Sequence, residues 1–311
     1  MIQLLKPVPS TPFAFLRIGT AIVLLLKDAV EFPVLLQLYG PAGFLQWGIG
    51  ELALTPLHPR LSWVVDIAHR VTVDADVAIF AVFAAYALGA VFLLTGRWAR
   101  ACCVILWLLH WMFEDSAGFN VYGLDMFVNV ALFYCCLGPI DRRFVLGRHA
   151  IADPSTQTNA MWLFLLRFHL CVAYFVAGLA KSAGDQWRSG EAIWRAVMMP
   201  QFTTGIDWSW LAFAPTIATI ASCGTLLIEM GYPAFMNVRR TRPFWLVVTV
   251  MMHLGIGVTL GLWLFAAIMI VLSFSAYGSD YVEALLVRLQ SGRWFIGRGE
   301  PGRTMSLMSR Y

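Results

Sequence analysis

Eight stretches of this chain are apolar over a length that matches, or nearly matches, the roughly 30 Å of hydrocarbon in a bilayer, and that leaves little choice of fold. They run near residues 13–36, 77–95, 98–114, 121–138, 160–182, 211–236, 243–259 and 262–278. A segment surrounded by lipid must satisfy its own backbone hydrogen bonds, which limits it to helices when the apolar runs are this long. The expectation is an all-α integral membrane protein, a bundle of about eight transmembrane helices with interfacial helices between them. Composition agrees: 59% of the 311 residues are hydrophobic and 13% are charged, where a soluble domain carries about 25% charged residues. A separate soluble domain does not fit, and residues 1–278 read as one membrane domain. The first apolar run continues past the length of a signal-peptide core and lacks a small-residue cleavage site, so it reads as a retained helix. A single span over 243–278 would exceed any bilayer, and Gly255, Gly257 and Gly261 offer a turn.

Orientation follows from the basic residues. Lys6, Arg97, Arg100, Arg142, Arg143, Arg148, Arg239, Arg240, Arg242, Arg288, Arg293, Arg298, Arg303 and Arg310 fall on one side of an eight-span path, and Arg60, Arg70, Arg188 and Arg195 on the other. Fourteen against four places both termini in the cytoplasm by the positive-inside rule. The net charge of +4 is thereby explained without an anionic partner, and no nucleic acid is expected. The location implied is multi-pass and integral, the cell membrane in a bacterial source, with membrane lipids as surrounding partners. Two connections, 38–76 and 183–210, carry Trp47, Trp63, Trp187, Trp194, Trp208 and Trp210. Tryptophans there anchor short helices at headgroup level more often than they stack on a substrate. Residues 279–311 read as a cytoplasmic amphipathic helix and a flexible Arg/Gly-rich tail. The six cysteines lie in or beside apolar runs without C-x-x-C spacing, so neither a disulfide framework nor a metal set is read from them. Cys102–Cys103 and Cys135–Cys136 lie toward the cytoplasmic ends of their runs and read as small buried residues, although the two pairs are placed to approach each other.

A charge inside the bilayer costs several kcal/mol, so each intramembrane ionisable residue demands a partner, a cavity or a nearby end. Arg17 and Arg167 are near enough to the cytoplasmic ends to snorkel. Lys27 and Asp28 are adjacent and face different neighbours. Lys181 sits at the outer end of the fifth run, Asn120, Tyr122 and Asp125 in the first outer turns of the fourth, and His110, Glu114 and Asp115 at the end of the third. His253 follows Pro243 by ten residues, about 15 Å along a helix and near mid-membrane. These groups share one half of the bilayer, and Lys181, His253, Asp125, Asn120, Tyr122, Asp185 and Trp187 form the expected outward-facing pocket. A lysine partly removed from water can act as a neutral amine base near pH 7. Pairing with Asp185 or Asp125 would keep it charged and favour a structural or anion-holding role.

Leu166-Arg167-Phe168-His169, then Tyr174-Phe175-Val176-Ala177-Gly178-Leu179-Ala180-Lys181, then Asp185-Gln186-Trp187-Arg188-Ser189-Gly190 resembles the signature of the HTTM (horizontally transferred transmembrane) domain family. That family is related to the membrane domain of vitamin K-dependent gamma-carboxylase. Leu16-Arg17-Ile18-Gly19, Asp28, Leu38-Tyr39-Gly40, Asn120 through Gly123, Asp125 to Pro139, Glu229-Met230-Gly231-Tyr232-Pro233 and His253-Leu254-Gly255-Ile256 follow in the family's order, so the likeness covers roughly 13–278. It implies that Lys181 matches the lysine proposed to deprotonate vitamin K hydroquinone, that His253 is a pocket residue, and that the site faces the lumenal side. A reduced quinone, with O2 and CO2, is the implied cofactor set. The carboxylases carry a paired lysine where this chain has Ala180-Lys181, a histidine without counterpart around Ala117 to Val121, and a large lumenal domain.

Three functions are compatible with these residues. The first is a membrane enzyme, carboxylase- or oxygenase-like, that uses Lys181 as general base on a quinol or lipid-like substrate. The second is a non-enzymatic factor assisting maturation or export of a secreted peptide, as one bacterial HTTM-like protein does for a toxin. A transporter ranks third, since no repeat relates the two halves. The charge asymmetry makes a direct prediction. A reporter active only in the cytoplasm will signal when fused after Arg148 or Arg242 and stay silent near Gly118 or Ser189; signal at Ser189 with silence at Arg242 would invert the topology.

Overall fold

The computed structural model describes residues 6–44, 47, 58–116, 121–147, 155–202 and 204–290. Asn120 and the Arg/Gly-rich tail lie outside them. Among the described residues the regular structure is helical, apart from one isolated bridge between Val8 and Thr156. Long helices fall on the eight apolar runs: α1 (Thr11–Glu31), α2 (Ala75–Thr95), α3 (Ala99–Ser116), α4 (Gly123–Leu137), α5 (Gln157–Ser182), α6 (Pro215–Asn237), α7 (Arg242–Leu260) and α8 (Trp263–Tyr277). α1 ends earlier than its apolar run because Pro33 has no N–H for the carbonyl of Ala29, and the chain tightens into a 3-10 turn over Phe32–Val34 before the short helix Leu35–Tyr39. α7 and α8 are separate helices, divided at Gly261, whose φ of +72° suits glycine.

By length and composition alone α2, α5 and α7 can cross a membrane, and α8 with Ser279–Leu285, bent by 60°, makes a fourth if the two are one span. α4 is apolar but short. α1, α3 and α6 carry ionisable groups, and among them Arg17, Lys27, Asp28, His110 and Glu229 are buried. Phe164, Phe168, Val172 and Phe175 of α5 and Val247 and Met251 of α7 are exposed instead. An apolar surface with ionisable groups turned inward among an apolar core is a distribution that lipid selects.

α1 and α8 form the middle of the bundle. α1 packs on α2, α4 and α8, while α8 also touches α4, α5 and α7, and α6 lies against α5 and α7. Close approach depends on glycine at two crossings. A Cβ on Gly19 of α1 would come within 2.6 Å of Val271 on α8, and one on Gly178 of α5 within 2.8 Å of Met230 on α6. The helix Leu61–Arg70 covers part of α2, and Ser279–Gln290 packs back on α1, where Glu283 meets Thr11 and Arg143. α3 and α4 bring Cys103 and Cys136 to 3.4 Å as free thiols.

Arg17 does not snorkel. Its side chain is fully buried and donates to the carbonyls of Leu93 and Leu94 at 2.7 Å, of Phe144 at 2.8 Å and of Arg143 at 3.2 Å. One guanidinium thus caps the end of α2 and ties it to the segment after α4, a task that suits a planar fork with five donors. Arg17→Met leaves these acceptors without donors and should cost about 3 kcal/mol or more. Lysine, with a single point of charge, should rescue only part of it. Thermal unfolding in detergent, followed by size-exclusion fluorescence, measures the loss; an unchanged midpoint for Arg17→Met would contradict this role.

Candidate functional site

The polar groups expected in one pocket are gathered into two clusters. The first lies among α1, α3 and α4. Lys27 Nζ is 2.8 Å from Glu31 Oε1 and 3.7 Å from Asp125 Oδ1. The first pair follows from i,i+4 spacing on one helix. Tyr39, placed by the turn after Pro33, donates its hydroxyl to Glu31 Oε2 at 2.9 Å. Asp125 occupies the first turn of α4, where its Oδ2 accepts the N–H of Tyr122 at 3.2 Å, so this carboxylate also caps its own helix. Asp28, one residue on from Lys27, is buried with neither carboxylate oxygen bonded among the described residues.

α3 completes this cluster. His110 Nδ1 is 2.8 Å from the Tyr86 hydroxyl, and Nε2 is 3.4 Å from the Asp125 carbonyl and 3.6 Å from Glu114 Oε1. Asn129 Nδ2 donates to Glu114 Oε2 at 2.6 Å. Asp115 turns away to His58, at 3.1 Å.

The second cluster lies among α5, α6, α7 and α8. Lys181, in the last turn of α5, places Nζ 2.6 Å from Glu229 Oε1 and 2.7 Å from Oε2. Its ammonium also stands 5.5 Å from the centre of the Trp187 ring, within cation–π range. Two helical turns below Lys181, Tyr174 meets His253 Nε2 at 2.6 Å and Ser273 Oγ at 3.3 Å. Tyr232 stacks on Tyr174 at 4.0 Å between centroids and also donates to Ser273 at 3.3 Å. His253 Nδ1 is buried and bonded to nothing among the described residues.

Phe265 of α8 stands between the clusters. Its ring centre is 5.8 Å from that of His253 and 6.2 Å from that of Phe127, and it fills the space that a Cβ on Gly123 would need. Lys181, His253 and Trp187 therefore gather on one side, and Asp125 and Tyr122 on the other. Asp185 joins neither: its side chain is 95% exposed and paired with Arg188. The carboxylate on Lys181 is Glu229 of α6, in place of the Asp185 or Asp125 that the sequence offered as partners. Glu31, His110 and Glu114 were likewise outside the expected pocket, although the i,i+4 spacings Lys27/Glu31 and His110/Glu114 are visible in the sequence.

Chemically, the first cluster is a compact set of carboxylates around one lysine and one imidazole. The second is an ammonium–carboxylate pair above a hydroxyl–imidazole relay, an arrangement suited to holding or moving a proton.

Comparison with known proteins agrees on the family. No curated protein and no solved structure matches the chain. The model of the HTTM domain matches residues 61–278, a segment that holds α2 through α8, the whole second cluster and the α3 and α4 members of the first. That match spans well over half of the 311 residues, and the chain belongs to the HTTM domain family.

Proposed function

We propose that this chain is an eight-span membrane enzyme of its family, with both termini cytoplasmic, acting by proton transfer on an apolar, quinol-like or lipid-like substrate at the non-cytoplasmic side. The supporting observation is the Lys181–Glu229 contact, in which both carboxylate oxygens face one ammonium beside an aromatic plane and above His253. For Lys181 to act as general base, its resting proton must first pass to Glu229 across the 2.6 Å contact. The amine then takes the substrate's proton, leaving an ammonium beside a protonated carboxyl. A reduced quinone would use the Trp187 ring as a flat partner and the unbonded Nδ1 of His253, which is enclosed in the resting bundle, as a hydrogen-bond partner for a ring hydroxyl or oxygen. Such a group would supply a weakly acidic hydroxyl and reducing equivalents. Tyr174 holds His253 through Nε2, which leaves Nδ1 as the nitrogen available to that substrate.

A second reading is favoured by the completeness of the same pair. An ammonium bound by both oxygens of a buried carboxylate is a sound structural fastening between α5 and α6, and a non-enzymatic factor for peptide maturation or export needs nothing more from it.

Lys181→Arg separates the two. Arginine keeps the charge and the ion pair but cannot give up its proton. The base reading expects Lys181→Arg protein to insert, melt normally and bind reduced naphthoquinone, while turnover followed by ultraviolet absorbance falls about a hundredfold or more. Full turnover by Lys181→Arg would eliminate the base mechanism, and a wild-type protein that neither binds nor turns over the quinol would leave the maturation factor as the better reading.

A further inference from the structure

We infer that the cluster among α1, α3 and α4 is a binding site for a divalent transition-metal ion, with His110, Glu114 and Asp125 as its protein ligands. One ligand atom from each of the three lies within 4.8 Å of the others. Around an ion with bonds of about 2.0–2.2 Å, ligand atoms stand about 3.0–4.4 Å apart, so little movement is needed to close on one. The contact between the two side chains on α3 favours an ion over direct bonding. His110 Nε2 is 3.6 Å from Glu114 Oε1 and 3.4 Å from the Asp125 carbonyl. Charge-assisted hydrogen bonds close to about 2.7–2.9 Å. The 3.6 Å gap between His110 and Glu114 is long for a shared proton and ordinary for two ligands of one ion, whereas the Asp125 carbonyl is not a ligand and accepts from Nε2 only in the tautomer that carries a proton there.

The outer partners are also in place. When Nδ1–H of His110 donates to the Tyr86 hydroxyl at 2.8 Å, the lone pair of Nε2 is left facing the carboxylates. Fixing a ligand's tautomer through its second nitrogen is how metal-binding histidines are usually held. Asn129 steadies Glu114 through Nδ2, and its own Oδ1 is enclosed without a hydrogen-bond partner among the described residues. That orphaned oxygen is a neutral donor beside the ligand set.

Charge balance is an independent argument. Four carboxylates, of Asp28, Glu31, Glu114 and Asp125, lie in this part of the bundle, and Lys27 is the cation within ion-pair distance of two of them. Glu31 and Asp125 share that lysine. Glu114 has the His110 imidazole and the Asn129 amide as neighbours, and both oxygens of Asp28 are buried without a donor among the described residues. A carboxyl buried in a low-dielectric interior must take up a proton or find a cation, and a bound dication would serve the groups that Lys27 does not reach. Surface acidic groups have water for this purpose, whereas His110 is only 1% exposed and Asp125 3%. One imidazole with two carboxylates suits Zn2+, Mn2+, Fe2+ or Co2+ better than Mg2+ or Ca2+, which prefer oxygen alone.

Detergent-purified wild-type protein, stripped with a chelator and titrated with Co2+, should bind about one ion per chain. The bound ion should show a visible absorption band that Zn2+ abolishes, and thermal stability should rise with metal. Glu114→Gln keeps the side-chain shape and should bind at least tenfold more weakly, with the metal-induced stabilisation lost. His110→Gln is the second ligand variant, for use if Glu114→Gln does not fold. Asp115→Asn, at the neighbouring carboxylate bonded to His58, should bind like wild type. Absence of saturable binding by the wild type, or undiminished binding by the folded ligand variant, would overturn the site.

Discussion

A charge buried among apolar helices finds no water to bond, so the helix that carries it must bring its neighbours to the charge. In this chain that helix is α1. Arg17 gathers the carbonyls ending α2 and those of residues 143 and 144, and Lys27, on a lower turn of the same helix, gathers Glu31 and Asp125. Two cations thus determine which helices must lie against α1. Its remaining side is opened by Gly19, which admits Val271 of α8. α8 then becomes the surface on which α5 and α7 assemble. Removal of α1's charges would leave helices still able to form but without a reason to meet in this order.

The existence and approximate extent of the long helices were legible because each falls on an apolar run bounded by Pro, Gly or charge. The main departure, the early end of α1, traces to one residue, Pro33, which was visible but outweighed by the apolarity around it. What could not be read was which way each helix faces. α2 and α8 are apolar on all sides, so their sequence contains no stripe to mark the buried face. Position along each helix could be derived by counting residues: Lys181 lies in the last turn of α5 and Asp125 in the first turn of α4. Lateral position could not be counted. It depends on Phe265 of α8, whose role as a partition is a product of packing against Gly123 and Phe127. The partner of Lys181 shows the same limit: Asp185 is four residues away in sequence and faces outward, while Glu229 lies on another helix and faces in.

Separation by Phe265 has an electrostatic consequence. Each cluster holds one lysine with its own carboxylates, and in a medium of low dielectric two such pairs in mutual contact would compete for partners. Lys27 is paired with Glu31 and Asp125, and Lys181 with Glu229. The two clusters can therefore differ in chemistry within one bundle: one rich in anions around an imidazole, the other a balanced pair above neutral hydroxyls.

Those hydroxyls extend the second cluster through the bundle. Tyr174 and Tyr232 meet at Ser273, Tyr232 packs edge-on against Tyr277 with centroids 5.9 Å apart, and the Tyr277 hydroxyl reaches Asn237 and Cys171 at 3.4 Å each. At the far end Arg167 lies over the Tyr277 ring, donates to the Ala276 carbonyl at 2.7 Å and approaches Asp280 at 3.6 Å. A tyrosine or serine both donates and accepts, so a thread of them stays neutral and satisfied at any depth, whereas a charge requires a counter-charge wherever it stands. Cations occur at the two ends of this thread, each with a carboxylate, and the neutral groups occupy the middle, where an unpaired charge would cost most. The ordering along α5, from Arg167 through Tyr174 to Lys181, is thus the one that the bilayer's dielectric profile demands of a helix lined with polar groups.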